Sequence, residues 1–204
     1  MKRTSSTLCT LFGLLAFSGA AHSQDAQHRP QPNGSTTPST EATTPSGQAG
    51  QGMLTDDQIH GVVSVANQGE IDVAKIALKQ GKDKSVKDFA NMMVKEHGKV
   101  KKDLMGLAKT AKIKNGDSPT KQTFEEAGQA SMTRLKALKA VEFDKAYAED
   151  QVKAHQDLLN TLDTELIPSA KNEKLKALLE KIKPSVAAHL DQAKAISQKL
   201  SSQM

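Results

Sequence analysis

From Leu54 onward, apolar residues recur at alternating intervals of three and four, and that spacing admits little besides packed helices. One stretch reads Ile59, Val63, Ala66, position 70, Val73 and Ala77. A second reads Val86, Ala90, Met93, position 97, Val100, Leu104, Leu107 and Ala111. A third runs Ala148, Val152, position 155, Leu159, Leu162 and Leu166. The last runs Leu175, Leu179, Ile182, Val186, position 189, Ala193, Ile196 and Leu200. β-branched residues never alternate over a useful length, so no strand is expected. Four amphipathic helices of about 25 residues, each about 35–40 Å long, bury such seams only against one another, as a four-helix bundle.

The punctuation fixes the helix ends. Thr55-Asp56-Asp57-Gln58 is a capping box, and Gly81 is a stop. Ser85 can cap the second helix, Ser118-Pro119 opens a shorter segment, and Asn172 can cap the last helix after a break at Pro168. The stretch 113–140 is too long for a hairpin loop and has its own apolar residues, Phe124, Met132, Leu135 and Leu138. About 20 helical residues travel about 30 Å, enough to return the chain from the bottom of helix two to the top of helix three. The expected fold class is therefore all-α, a ferritin-like four-helix bundle with a short helix in the crossover between helices two and three. The alternative is one helix continuous from 119 to 166, giving a plain up-and-down bundle.

The residues before this domain read as address and tether. Met1-Lys2-Arg3 is followed by an apolar stretch from Leu8 to Phe17 and then by Ala21-x-Ser23, a signal peptide over 1–23 with cleavage after Ser23. Cleavage lowers the formal charge from +5 to +3 and removes Cys9, the single cysteine. The mature chain then has neither a thiolate nucleophile nor a cysteine metal site, and it suits an oxidising compartment. Residues 24–53 hold Pro30, Pro32, Pro38 and Pro45 amid Ser, Thr, Gln and Gly, with too little apolar content to order. They read as a disordered tether, and 54–204 as the helical domain. The expected location is periplasmic or attached to the cell envelope, with secretion as the other destination.

Each seam carries one polar residue: Glu70, His97, His155 and His189. A buried unpaired carboxylate costs several kcal/mol, and a buried imidazole needs partners for both nitrogens. One such residue per helix therefore implies that the four meet. Their convergence would suit a divalent transition metal, namely zinc, iron, manganese or copper. The other reading is a buried hydrogen-bonded network that fixes helix registry. Three neighbours could support the cluster. Met93 lies one turn before His97 and would favour copper if it coordinated. Tyr147 is either a donor near the centre or a packed ring with its hydroxyl at the rim. Gln151 precedes His155 by one turn and could hydrogen-bond it. His60 is expected on a helix flank.

These blocks resemble an exported bacterial family, the domain of unknown function 4142, assigned to the ferritin-like superfamily. The resemblance rests on Asn67-Gln68-Gly69-Glu70-Ile71, on Val86 through His97, and on Phe143-Asp144-Lys145-Ala146-Tyr147. It continues through Gln151-Val152-Lys153-Ala154-His155 and Ala187-Ala188-His189-Leu190, and so covers roughly 54–200. It implies a helical bundle with no assigned activity. The chain departs from the family pattern at Glu96, usually Asp, and at Lys183 before Pro184, usually Leu. The di-iron members of the superfamily carry Glu-x-x-His on two helices. Here Val94, Val152 and Val186 occupy the positions three before the histidines, so ferroxidase chemistry does not transfer.

Three functions remain in view: a metal-binding bundle, a structural or interaction module with an envelope partner, and a mononuclear metal enzyme. No phosphate-binding glycine loop or zinc-ribbon spacing occurs. The basic pI of 9.2 comes from lysines interspersed with acids, the pattern of a solvated surface. With one tyrosine and no tryptophan there is no stacking platform, and nucleic acid is not an expected partner. No apolar run reaches the roughly 18–20 residues of a transmembrane span.

Overall fold

A computed structural model of the chain describes residues 53–202. The expected signal peptide, and the tether up to residue 52, lie outside the described residues. Five helices make up the described part: α1 (Asp56–Gln80), α2 (Lys84–Ala111), α3 (Pro119–Ala137), α4 (Ala140–Thr161) and α5 (Glu173–Ser201). A π-helical turn, Leu162–Leu166, and one last turn, Ile167–Ser169, extend α4. No strand occurs among the described residues, and none of the helices is long and apolar enough to cross a membrane.

Local chemistry sets each boundary. The Thr55 hydroxyl accepts from the Gln58 amide while Gln58 reaches back to the Thr55 N–H, closing the capping box of α1. Ser118 caps α3 with Pro119 in the first turn, and Asn172 caps α5. The second helix differs from expectation, because Asp83 caps it by accepting from the amide of Ser85. A carboxylate at that position also favours the positive end of the helix.

The ends show the topology. At the lower end, the Asp56 carboxylate accepts from the amides of Lys171 and Asn172, joining the start of α1 to the start of α5. The end of α2 returns there too, where the Gly116 amide donates to Asp57 O. That approach needs glycine, because a Cβ on Gly61 would lie 2.0 Å from the Gly116 oxygen. From there α3 climbs beside α1, so that its Leu135 joins Val73 and Ala77 in the upper core. The chain then enters α4 through extended Leu138 and Lys139 and through Ala140, whose φ of 52° is left-handed. That break excludes a continuous helix from 119 to 166. The four long helices therefore run up, down, down and up with one crossover, the ferritin-like arrangement.

Asp144 locks the upper end. It is 2% exposed and accepts from the amides of Lys82 and Asp83 in the α1–α2 turn. Removing the carboxylate strands two backbone donors next to a packed core. Asp144→Ala should therefore destabilise the fold by about 2–4 kcal/mol, read as a lower urea midpoint at unchanged slope. An unchanged midpoint would show that water replaces the carboxylate there at no cost.

The core has two apolar halves. The upper cluster holds Phe89, Met93, Phe143 and Tyr147, and the lower holds Ile59, Leu104, Leu162 and Leu179. The polar seam residues lie between them. On the outside, lysines pair with acids one turn away, as in Lys99–Asp103 and Lys153–Asp157. Such exposed pairs contribute a few tenths of a kcal/mol each.

Candidate metal centre

Three helices each bring one histidine to the middle of the bundle: His97 from α2, His155 from α4 and His189 from α5. Their ring centroids are 5.7, 5.4 and 5.3 Å apart, close to an equilateral triangle. One ring nitrogen from each lies within 4.8 Å of the other two. The rings are 4%, 1% and 4% exposed. His155 and His189 meet although their α-carbons are offset along the hairpin. Helical side chains lean toward their own N-terminus, so antiparallel α4 and α5 tilt these two toward each other.

The outer nitrogen of each ring is tied to an acceptor. His97 Nδ1 donates to Asn67 Oδ1 at 3.0 Å, and Asn67 is turned that way because its Nδ2 donates to Val63 O at 2.7 Å. His155 Nδ1 donates to the Gln151 carbonyl at 2.9 Å. His189 Nε2 donates to Glu96 Oε2 at 2.8 Å. An acceptor on one nitrogen puts the proton there and leaves a lone pair on the other. The remaining nitrogens, His97 Nε2, His155 Nε2 and His189 Nδ1, are buried and have no hydrogen-bond partner.

Burial also favours the neutral form of His97 and His189. It pushes the His97 pKa down to about 3, and the neighbouring His155 and His189 push in the same direction. Burial lowers that of His189 as well, against its hydrogen bond to Glu96, which raises it. Three imidazoles, each bonded through its outer nitrogen and unpartnered at its inner one, make an all-nitrogen donor set. That set suits zinc or copper and is short of the oxygen ligands that harder cations take. Ligands of a tetrahedral ion at about 2.0–2.1 Å sit about 3.4 Å apart, so ring rotations would have to draw the nitrogens inward.

The other expected site residues fall around this triangle. Glu70 is not in the converging set; it is half-buried and accepts from Gln151 Nε2 at 2.8 Å. Gln151 supports His155 through its backbone carbonyl, not its amide. Met93 is fully buried within the upper apolar cluster. Tyr147 is not at the rim. Its hydroxyl is buried without a partner, and burial together with Glu70 raises its pKa well above the usual 10. The ring stacks on Phe143. His60 is buried rather than flanking, with neither nitrogen partnered.

Three contributors were not expected: Asn67, Glu96 and Phe89, whose ring edge meets His155 and His189 at centroid distances of 6.3 and 6.5 Å. Asn67 had a signal. With the α1–α2 turn centred near Lys82, position 67 lies opposite His97. Glu96 had none, because a charged residue beside a seam reads as solvated.

The family model described as a domain of unknown function (DUF4142) matches residues 41–196. The chain belongs to that family. No curated protein matches the sequence of this DUF4142 chain. Solved structures share its fold. A protein described as secreted (DUF305) from Streptomyces coelicolor aligns with a TM-score of 0.62 at 14% identity, over 72% of this chain and 94% of its own. CopM in its Cu(II)-bound form aligns at 0.56 with 17% identity, over 72% and 98%. Its Ag-bound form gives 0.57, again at 17% identity, with the same coverage. At these identities the likeness shows the bundle fold of the DUF4142 domain.

Proposed function

We propose that the chain is an exported helical-bundle protein that holds one divalent transition metal through His97, His155 and His189, in an envelope or stress role. The observation that carries this reading is the set of three buried, unpartnered nitrogens, each opposite a nitrogen fixed by an acceptor. A network built only for registry would pair its inner atoms, since each buried unpaired polar group costs about 1–3 kcal/mol. The outer bonds are those that orient metal-bound histidines in general. Zinc, iron, manganese and copper are all to be tried. Copper comes first, because CopM, of similar fold, is solved with Cu(II) and with Ag.

Elemental analysis of tag-free protein after reconstitution with each of the four ions tests the reading. About one equivalent of one ion is expected. No retained metal with any of them would leave a buried polar network in a structural module and move attention to an envelope partner. Asn67→Ala should keep that stoichiometry and lower affinity about 10–100-fold in a competition titration, because the His97 ring would lose its orienting acceptor. Unchanged affinity would mean that packing alone orients the ring.

A further inference from the structure

The three ring nitrogens are buried, so an ion needs a path to them, and one small cavity offers it. The cavity has a volume of about 20 Å³ and is lined by His97, of the three histidines, together with Asn67. Its walls are apolar, with Val100 from α2, Leu158 from α4 and Val186 from α5 among them. Two lining residues reach the surface, the half-buried Glu96 on α2 and the exposed Ser185 on α5. The Glu96 side chain is 44% exposed, yet its Oε2 accepts from His189 at 2.8 Å. It is therefore the one acidic lining residue, with solvent on one side and a histidine of the triangle on the other.

Resting on the metal-binding reading above, we propose that this cavity is the entry path of the cation and that Glu96 is its capture residue. The volume has room for about one water molecule, so a hydrated cation cannot pass whole and must shed water at the mouth. Glu96 replaces part of that lost coordination with a carboxylate oxygen, where the apolar walls behind it offer none. Its bond to the outer nitrogen of His189 then places the captured charge against that ring, with His97 on the same cavity wall. Glu96 thus governs the rate of loading, whereas Asn67 and the Gln151 carbonyl only set ring orientation. Attraction by a fixed charge raises association rates by about 10–10³-fold and weakens steeply with salt.

Stopped-flow mixing of metal-free full-length protein with cobalt(II), followed by the visible bands of the nitrogen-bound ion, separates these roles. Glu96→Gln keeps an acceptor for His189 and removes the charge. It should slow association about tenfold and flatten its salt dependence, with a much smaller change in dissociation. Glu96→Asp should restore most of the rate, and Glu126→Gln, an exposed charge on α3, should leave it unchanged. Ser185→Leu, which narrows the mouth without touching charge, should slow both association and dissociation. A Glu96→Gln protein that loads at the wild-type rate and loses the ion faster would overturn the entry role and make Glu96 an orienting residue. Wild-type protein that neither develops cobalt bands nor retains zinc, iron, manganese or copper would overturn the metal reading itself, and with it the path.

Discussion

His155→Ala is expected to weaken metal binding by about 10²–10³-fold, and His97→Ala by a similar factor. The magnitude follows from ligand number. Structural sites with four ligands gain about 10–16 kcal/mol from the ion, or roughly 2.5–4 kcal/mol per ligand. Each 1.4 kcal/mol is a factor of ten. The same substitution acts on the metal-free protein through a different route. It opens a space under Phe89 and removes the ring's bond to the Gln151 carbonyl, which keeps its helical donor, a loss of about 1–3 kcal/mol. The two effects separate in one experiment. Wild-type protein should gain about 4 kcal/mol of stability at metal concentrations 1,000 times the dissociation constant. His155→Ala protein should gain almost nothing at that same concentration. If the two respond equally to added metal, the ion binds elsewhere.

Acid should destabilise the metal-free protein well above the range in which carboxylates titrate. The folded state holds His97 at a pKa of about 3 by burial and by the two neighbouring rings, and burial also lowers His189. An unfolded histidine titrates near 6.5. Between those values the unfolded chain binds more protons than the folded one, so stability is full above about pH 6.5 and declines as pH falls toward 3. Each of these two histidines contributes a slope of up to about 1.4 kcal/mol per pH unit. Urea unfolding at intervals from pH 7.5 to 4.5 reads this window before most acidic residues contribute. His97→Gln, which cannot be protonated there, should flatten the curve. A curve already flat for wild-type protein would mean that the triangle accepts protons in the folded state, and that its inner nitrogens are not the isolated lone pairs described.

The bundle was legible because a seam at intervals of three and four has one stable use, and because α3 has the length of a crossover. The three histidines were legible for the same reason, since a polar residue inside a seam must find company. What the seam does not specify is height and rotamer. Glu70 has the right face of α1, yet its carboxylate is drawn to the Gln151 amide, and Asn67, one turn lower, meets His97 instead. Tyr147 follows from a different limit. Its position beside Phe89 and Phe143 makes it core, but only the packed structure shows that its hydroxyl ends among them without a partner. Glu96 marks the farthest limit, a half-exposed charge whose role depends on a histidine 93 residues later in the chain.

The most direct measurement is an anomalous difference map from crystals of the metal-loaded protein, collected at the absorption edge of whichever ion is retained. One peak is expected, at about 2.0–2.2 Å from His97 Nε2, His155 Nε2 and His189 Nδ1, with the outer nitrogens still held by Asn67, Gln151 and Glu96. A peak confined to His60 or to surface carboxylates, with the central triangle unchanged, would contradict the account.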